Sequence, residues 1–143
     1  TSLVAATQIA VQAMKKRGGG VIINTVSTVA LGTGFYDAMY ATTKAAVMMF
    51  TRCCASLKDQ CNVRVAGMLP GLVDTPILDT TGAGGKSEWM KTVLANNEAC
   101  LPEDIAGGVI ALIEDDSLAG GDWVAVRRLG GKVEYQWGPA GTA

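Results

Sequence analysis

Gly18-Gly19-Gly20-Val21-Ile22-Ile23-Asn24-Thr25-Val26-Ser27 is the stretch whose reading decides the fold. A glycine cluster stops the helical pattern before it, since glycine readily takes the backbone that closes a helix. Residues 21–26 are mostly β-branched and show little alternation of apolar with polar. Such a run fits a strand covered on both faces, as in a parallel sheet flanked by helices. Ser27 then follows directly at the carboxyl end of that strand.

Upstream, Leu3, Val4, Ile9, Ala10, Ala13 and Met14 recur at helical spacing, predicting a helix over about 2–16. Downstream, a long helical pattern runs over about 37–58, with apolar residues nearly all round it, so cover on more than one side is expected. A second strand is predicted over 63–69, ended by Pro70-Gly71. Residues 72–100 read as a loop with one short helix around 87–96. Leu101-Pro102-Glu103-Asp104 opens a helix to about 114, with proline early and acids in the first turn. Gly120-Gly121 leads into a third strand over 123–126, and residues 132–137 read as a short edge strand. Helix and strand alternate throughout, the α/β pattern of a parallel sheet with helical crossovers.

The composition excludes several classes. A chain of 143 residues with 49% hydrophobic and 17% charged residues suits one domain with a packed core. The net charge is −1 and the one basic run, Lys15-Lys16-Arg17, reads as a helix end, so no nucleic-acid partner is expected. No apolar run approaches the ~20 residues of a membrane span. Cys53, Cys54, Cys61 and Cys100 have no CxxC spacing, and with no recognisable signal peptide they read as reduced thiols of a cytoplasmic protein. Histidine is absent. That removes Ser-His-Asp and Cys-His nucleophiles and histidine-ligated metals, and no metal site is expected. The chain starts at Thr1 inside a helical pattern, as a processed chain or a segment of a longer one would.

One spacing carries chemistry. Tyr40 and Lys44 lie four apart in Tyr40-Ala41-Thr42-Thr43-Lys44, and Ser27 lies thirteen residues before Tyr40 (40 − 27). Of the three tyrosines only Tyr40 has a lysine at +4, since Tyr36 has Tyr40 there and Tyr135 has Pro139. On a helix, residues i and i+4 share a face. A cation beside a phenol favours its ionised form, the condition for a phenol to serve as general acid or base near neutral pH. A strand-end hydroxyl would complete a site for an alcohol or carbonyl oxygen.

With Asn24-Thr25-Val26-Ser27, the Tyr40–Lys44 run and Pro70-Gly71-Leu72-Val73-Asp74-Thr75-Pro76 together, the chain resembles the second half of a short-chain dehydrogenase/reductase. The resemblance implies a Rossmann-like three-layer sandwich with a parallel sheet, present as its C-terminal half. It implies an NAD(P)-dependent oxidoreductase interconverting a secondary alcohol and a ketone, with NAD slightly preferred to NADP. Tyr40 would be the catalytic acid/base. Lys44 would assist it and bind the nicotinamide ribose, and Ser27 would hold the substrate oxygen. Tyr40, Lys44, Pro70, Gly71, Val73 and Thr75 would contact the cofactor, and Phe35 and Tyr36 would line the substrate pocket. A homodimer or tetramer built on the helices at 2–16 and 38–58 is implied as well.

The chain departs from the family in what it lacks. Gly18-Gly19-Gly20 precedes a strand instead of opening a helix, and Gly82-Ala83-Gly84-Gly85 has Ser87 where a further glycine would fall. A phosphate-binding unit, a residue choosing NAD or NADP, and the family's catalytic asparagine, which should fall just before Thr1, are therefore missing. Val26 and Ala30 replace a common serine and glycine. The competing reading is a non-catalytic fragment or interaction module unable to bind a dinucleotide alone, its sheet left with an unpaired edge. A serine–lysine hydrolase is more distant, because Ser27 lacks the nucleophile-elbow glycines. Plainer roles stand beside these: Ser27 or Thr75 as local caps, Asn24 satisfying backbone groups, Asp37 lining a pocket or loop, Cys53-Cys54 as packing, Trp89 and Met90 as a lid, Trp123 and Trp137 as core or interface anchors.

Overall fold

The computed structural model describes residues 2–32, 37–80, 88–96 and 98–139. The glycine-ended helix is α1, Ser2–Lys15, and the strand behind it is β1, Gly20–Thr25. A 3-10 turn, Thr28–Leu31, leads toward α2, Ala38–Cys53. After α3, Leu57–Cys61, comes β2, Val63–Pro70. Then follow α4, Ile77–Thr80; α5, Glu88–Ala95; and α6, Pro102–Glu114. The chain closes with β3, Trp123–Leu129, and β4, Lys132–Gly138.

The strands lie in the order β1-β2-β3-β4. β1 pairs parallel to β2 from Gly20↔Val63 to Thr25↔Met68, and β2 pairs parallel to β3 from Gly67↔Trp123 to Pro70↔Val126. β4 returns antiparallel along β3. Every β2 residue from Val63 to Leu69 is buried, as a central strand covered on both faces requires. Ala66, Met68, Val124 and Val126 form one core layer with Leu112 of α6 and Cys100. Leu69, Ala125 and Trp123 form the opposite layer with Val26 and with Met48 of α2. Alternation along the strands thus sends α6 to one face and α2 to the other.

Four expectations need correction. The helix over 37–58 breaks after Cys53. The Cys54 N–H turns back to the Phe50 and Thr51 carbonyls, α3 follows, and the Ala55 carbonyl lies in close contact with Gly120. That tertiary contact fixes the turn; local propensity does not. Second, α2 is covered on one side within this chain. Only Met48 and Thr51 are buried, and Met39 and Met49 stand outward. Third, the strand over 123–126 runs on to Leu129, because Arg127 and Arg128 are paired with Glu134 and Val133 of a full seven-residue β4. Fourth, Cys53 is exposed and not packed.

Two cations fasten the turn between α6 and β3. Arg64 is buried, and its guanidinium donates to the Leu112 and Ile113 carbonyls at 2.5 and 3.2 Å, capping the last turn of α6 from within the sheet. Lys58 donates to the Asp116 and Leu118 carbonyls. Among the described residues, no helix is long and apolar enough to cross a membrane.

Candidate active site

Parallel strands bring their carboxyl ends to one border of the sheet, where ligands of open α/β folds bind. Thr25 and Met68 are register partners, and the Val26 N–H reaches the Met68 carbonyl at 2.7 Å. Ser27 therefore emerges beside the end of β2. Its backbone is extended, and its Oγ accepts the Val29 N–H at 3.3 Å, capping the 3-10 turn. Ser27 is 6% exposed.

α2 starts where it does because Asp37 caps it. The Asp37 carboxylate accepts the Tyr40 N–H at 2.9 Å, which sets Tyr40 in the first turn. Lys44 lies one turn on. Its ammonium sits 5.7 Å from the centre of the Tyr40 ring, within cation–π range, and donates to the Thr25 carbonyl at 3.1 Å. The spacing of four thus does bring amine and ring to one face. The amine is also tied to the strand end two residues before Ser27. Tyr40 is 39% exposed.

Deeper in, Asn24 Nδ2 donates to Thr51 Oγ1 at 2.9 Å, and Thr51 donates to the Val47 carbonyl at 2.9 Å. This buried chain joins β1 to α2 two turns below Lys44. Asn24 satisfies a side chain there and not the sheet backbone.

At the end of β2, the Gly71 N–H donates to the Val126 carbonyl at 2.8 Å. Val73 forms a parallel bridge with Cys100; the Cys100 N–H donates to the Leu72 carbonyl and the Asp74 N–H to the Cys100 carbonyl, both at 2.8 Å. Thr75 Oγ1 reaches the Val73 carbonyl at 3.5 Å, and the Thr75 carbonyl accepts the Leu78 N–H. Pro70, Gly71, Val73 and Thr75 thus form a braced loop beside the Ser27 strand end. Burial, and then the nearby Asp104 carboxylate, pushes the Cys100 thiol up, so Cys100 is a packing group.

Phe35 and Tyr36 lie outside the described residues, as do Gly82-Ala83-Gly84-Gly85 and Ser87. The side chains of Trp89 and Met90 lie outside them too. A cleft of about 530 Å³ lies between α1 and β1, lined by Leu3, Ala6, Ala10, Ile22, Asn24 and Thr25 among others. Sequence reasoning missed the Asp37 cap, although an aspartate three residues before Tyr40 was a usable signal. It also missed the Thr25 carbonyl, a backbone atom that no residue type announces.

The pattern describing the short chain dehydrogenase family matches residues 1–85. The chain is 32% identical over 131 residues to mouse (Mus musculus) 15-hydroxyprostaglandin dehydrogenase (NAD+), covering 83% of this chain and 49% of that protein. It is 31% identical over 107 residues to a 3-oxoacyl-(acyl-carrier-protein) reductase of Chlamydia trachomatis, covering 75% of this chain and 43% of that protein. Among solved structures, a 7α-hydroxysteroid dehydrogenase complexed with NADH and 7-oxo glycochenodeoxycholic acid superposes with a TM-score of 0.70 at 26% identity, over 87% of this chain and 48% of that one. L-Sorbose reductase from Gluconobacter frateurii, complexed with NADPH and L-sorbose, gives 0.69 at 29% identity, over 90% and 55%. The chain spans about half the length of the curated relatives it matches.

Proposed function

The chain belongs to the short-chain dehydrogenase family, and from that premise we propose that it is the C-terminal, catalytic half of an NAD(P)-dependent oxidoreductase acting on a secondary alcohol or ketone. One observation carries the reading: the Lys44 ammonium lies over the Tyr40 ring while anchored on the Thr25 carbonyl. In oxidation Tyr40 takes the proton of the substrate hydroxyl; in reduction it returns that proton to the carbonyl oxygen. Ser27 uses its oxygen to accept the Val29 N–H, which leaves its hydroxyl hydrogen to donate to the substrate oxygen. Lys44 supplies positive charge beside the phenol and would hold the ribose hydroxyls of a bound nicotinamide cofactor.

The residues present fit the nicotinamide end of a dinucleotide. Pro70, Gly71, Val73 and Thr75 sit at the strand end next to Ser27, and Gly71 and Val73 are fixed by backbone bonds. Bound there, the cofactor would carry the hydride. For the pyrophosphate and adenosine, the described residues show no strand running through a glycine-rich turn into a helix, and Gly82-Ala83-Gly84-Gly85 has Ser87 in place of the further glycine. A further strand–turn–helix unit would supply that part, lying beside β1, which ends the sheet and flanks the α1 cleft. NAD is the favoured cofactor, since a relative's name carries NAD+ and a similar structure holds NADH, although another holds NADPH. The outward apolar side chains Ile9, Met39 and Met49 support a homo-oligomer through α1 and α2. Four unpaired cysteines accord with a reducing, cytoplasmic compartment.

The unpaired outer edge of β1 favours a second reading, a non-catalytic module. Fluorescence titration of the chain with NADH and NADPH, alone and joined to any strand–turn–helix unit encoded upstream, separates the two. Binding and turnover in the joined protein support the enzyme. Failure of the joined protein to bind either nucleotide overturns it.

A further inference from the structure

α2 carries the Tyr40–Lys44 pair, yet within this chain it is held to the sheet at few points. Of its residues only Met48 and Thr51 are buried, and Met48 packs with Val26, Leu69, Ala125 and Trp123. Apolar contact is non-directional, so it resists lifting a helix off a sheet better than sliding or rolling it there. A hydrogen bond has a direction and weakens steeply out of line. The bond from Asn24 Nδ2 to Thr51 Oγ1, at 2.9 Å, is such a tie. It lies inside the apolar layer, with Thr51 0% and Asn24 5% exposed.

Its two ends belong to the two elements that carry the site. Asn24 is fixed by strand pairing, with Gly67 of β2 as its register partner, and Ser27 follows three residues on. Thr51 lies seven residues past Lys44, so Lys44, Met48 and Thr51 share the face that meets the sheet. Three residues of strand and seven of helix each rise about 10 Å. With Asn24 and Thr51 joined, Lys44 therefore comes level with the Ser27 strand end, where its ammonium meets the Thr25 carbonyl. Thr51 gives its own hydrogen to the Val47 carbonyl, which leaves its oxygen to accept from Asn24.

We propose that Asn24 and Thr51 are positioning residues: their bond sets where α2 stands along β1, and through it the distance of Tyr40 and Lys44 from Ser27. The effect on rate rests on the oxidoreductase reading; the placement itself does not. The two ends fail differently, which separates placement from folding. Thr51→Val keeps the side-chain shape but leaves the Asn24 amide buried against an apolar group, a destabilising state. Asn24→Leu removes the tie while Thr51 keeps its bond to Val47. Thr51→Ser retains the hydroxyl and so the tie.

Two measurements test it. In nitrogen-15 NMR spectra of the full chain, Thr51→Val and Asn24→Leu should each move the amide resonances of Tyr40 to Lys44, seven to eleven residues from position 51, and Thr51→Ser should leave them in place. In the protein joined to its upstream unit, Thr51→Val and Asn24→Leu should lower kcat about tenfold, since small misplacements far from the chemistry are felt at the reacting atoms. KM for the alcohol should stay within about twofold, and Thr51→Ser should keep the wild-type rate. Val124→Ala, in the core layer on the α6 side, should lower the urea midpoint and leave kcat alone, as a loss of stability without a loss of placement does. Unmoved resonances, or a wild-type kcat in Thr51→Val or Asn24→Leu, overturn the proposal. A joined wild type that turns over no alcohol or ketone overturns the oxidoreductase reading instead, and the resonances then decide the placement.

Discussion

Two tyrosines of this chain each lie near a cation, and their surroundings give them different work. Tyr135 on β4 donates its hydroxyl to the Asp104 carbonyl at 3.2 Å. Asp104 in turn binds Arg128 at 2.8 Å, both side chains largely buried. The hydroxyl lies against Gly107, where a side chain would collide with it, and the ring edge packs beside Gly108. Tyr135 is a clasp between hairpin and helix. Tyr40 stands in the first turn of α2 with its ring partly in solvent and the Lys44 ammonium above it. What separates them is the kind of cation and where it is anchored. Arg128 is spent on a carboxylate, whereas Lys44 donates to a backbone carbonyl and keeps its charge beside the phenol.

The largest expected effect breaks the comparison at Tyr40. In the complete enzyme, Tyr40→Phe should lower turnover by about 10²–10⁴-fold, the usual worth of a general acid/base. Tyr135→Phe should leave turnover unchanged. Steady-state kinetics on both variants checks this, and an active Tyr40→Phe enzyme would refute the assignment. Lys44→Met comes next. Loss of a charge-assisted contact costs about 1.5–3 kcal/mol, so nicotinamide affinity should fall roughly ten- to a hundredfold, alongside a slower rate. Titration with NADH reads the affinity directly.

Smaller effects belong to the clasp. Burial works to raise the Asp104 carboxyl, but the Leu101 amide and the Arg128 guanidinium together hold it below the ordinary aspartate range. A depressed carboxyl contributes stability that is complete above its unfolded value and is lost as pH falls through the folded one. Asp104→Asn, which removes the charge opposite Arg128, should cost about 2 kcal/mol at neutral pH. That deficit should begin to shrink as pH falls below the ordinary aspartate value and close only below the depressed folded one, where wild type also loses the charge. Urea unfolding of both proteins at pH 7 and pH 3 measures the convergence. Smallest of all, Tyr135→Phe should cost about 1 kcal/mol, one hydrogen bond to a carbonyl.

The elements that carry local signals were legible. The β-branched run before Ser27 declared a buried strand, and the spacing of four declared a shared face for Tyr40 and Lys44. What stayed hidden depends on distant partners. Cys53-Cys54-Ala55-Ser56 has nothing against helix, and only the approach of Gly120 to Ala55 shows why the chain turns there. Arg127 and Arg128 look like the end of a strand until β4 is seen to pair along both and Asp104 to bind Arg128. Arg64 gives no hint in sequence that it will cap a helix some fifty residues on.

That buried arginine has a wider consequence. It grips α6 from the second residue of β2, at the opposite end of the strand from Pro70. The scaffold is bolted together at its floor by side chains, whereas the rim at Leu72, Val73 and Cys100 is held by its own backbone bonds. Insertions and replacements along the rim can therefore accumulate over evolutionary time without loosening the foundation. One framework can so be retuned to many molecules.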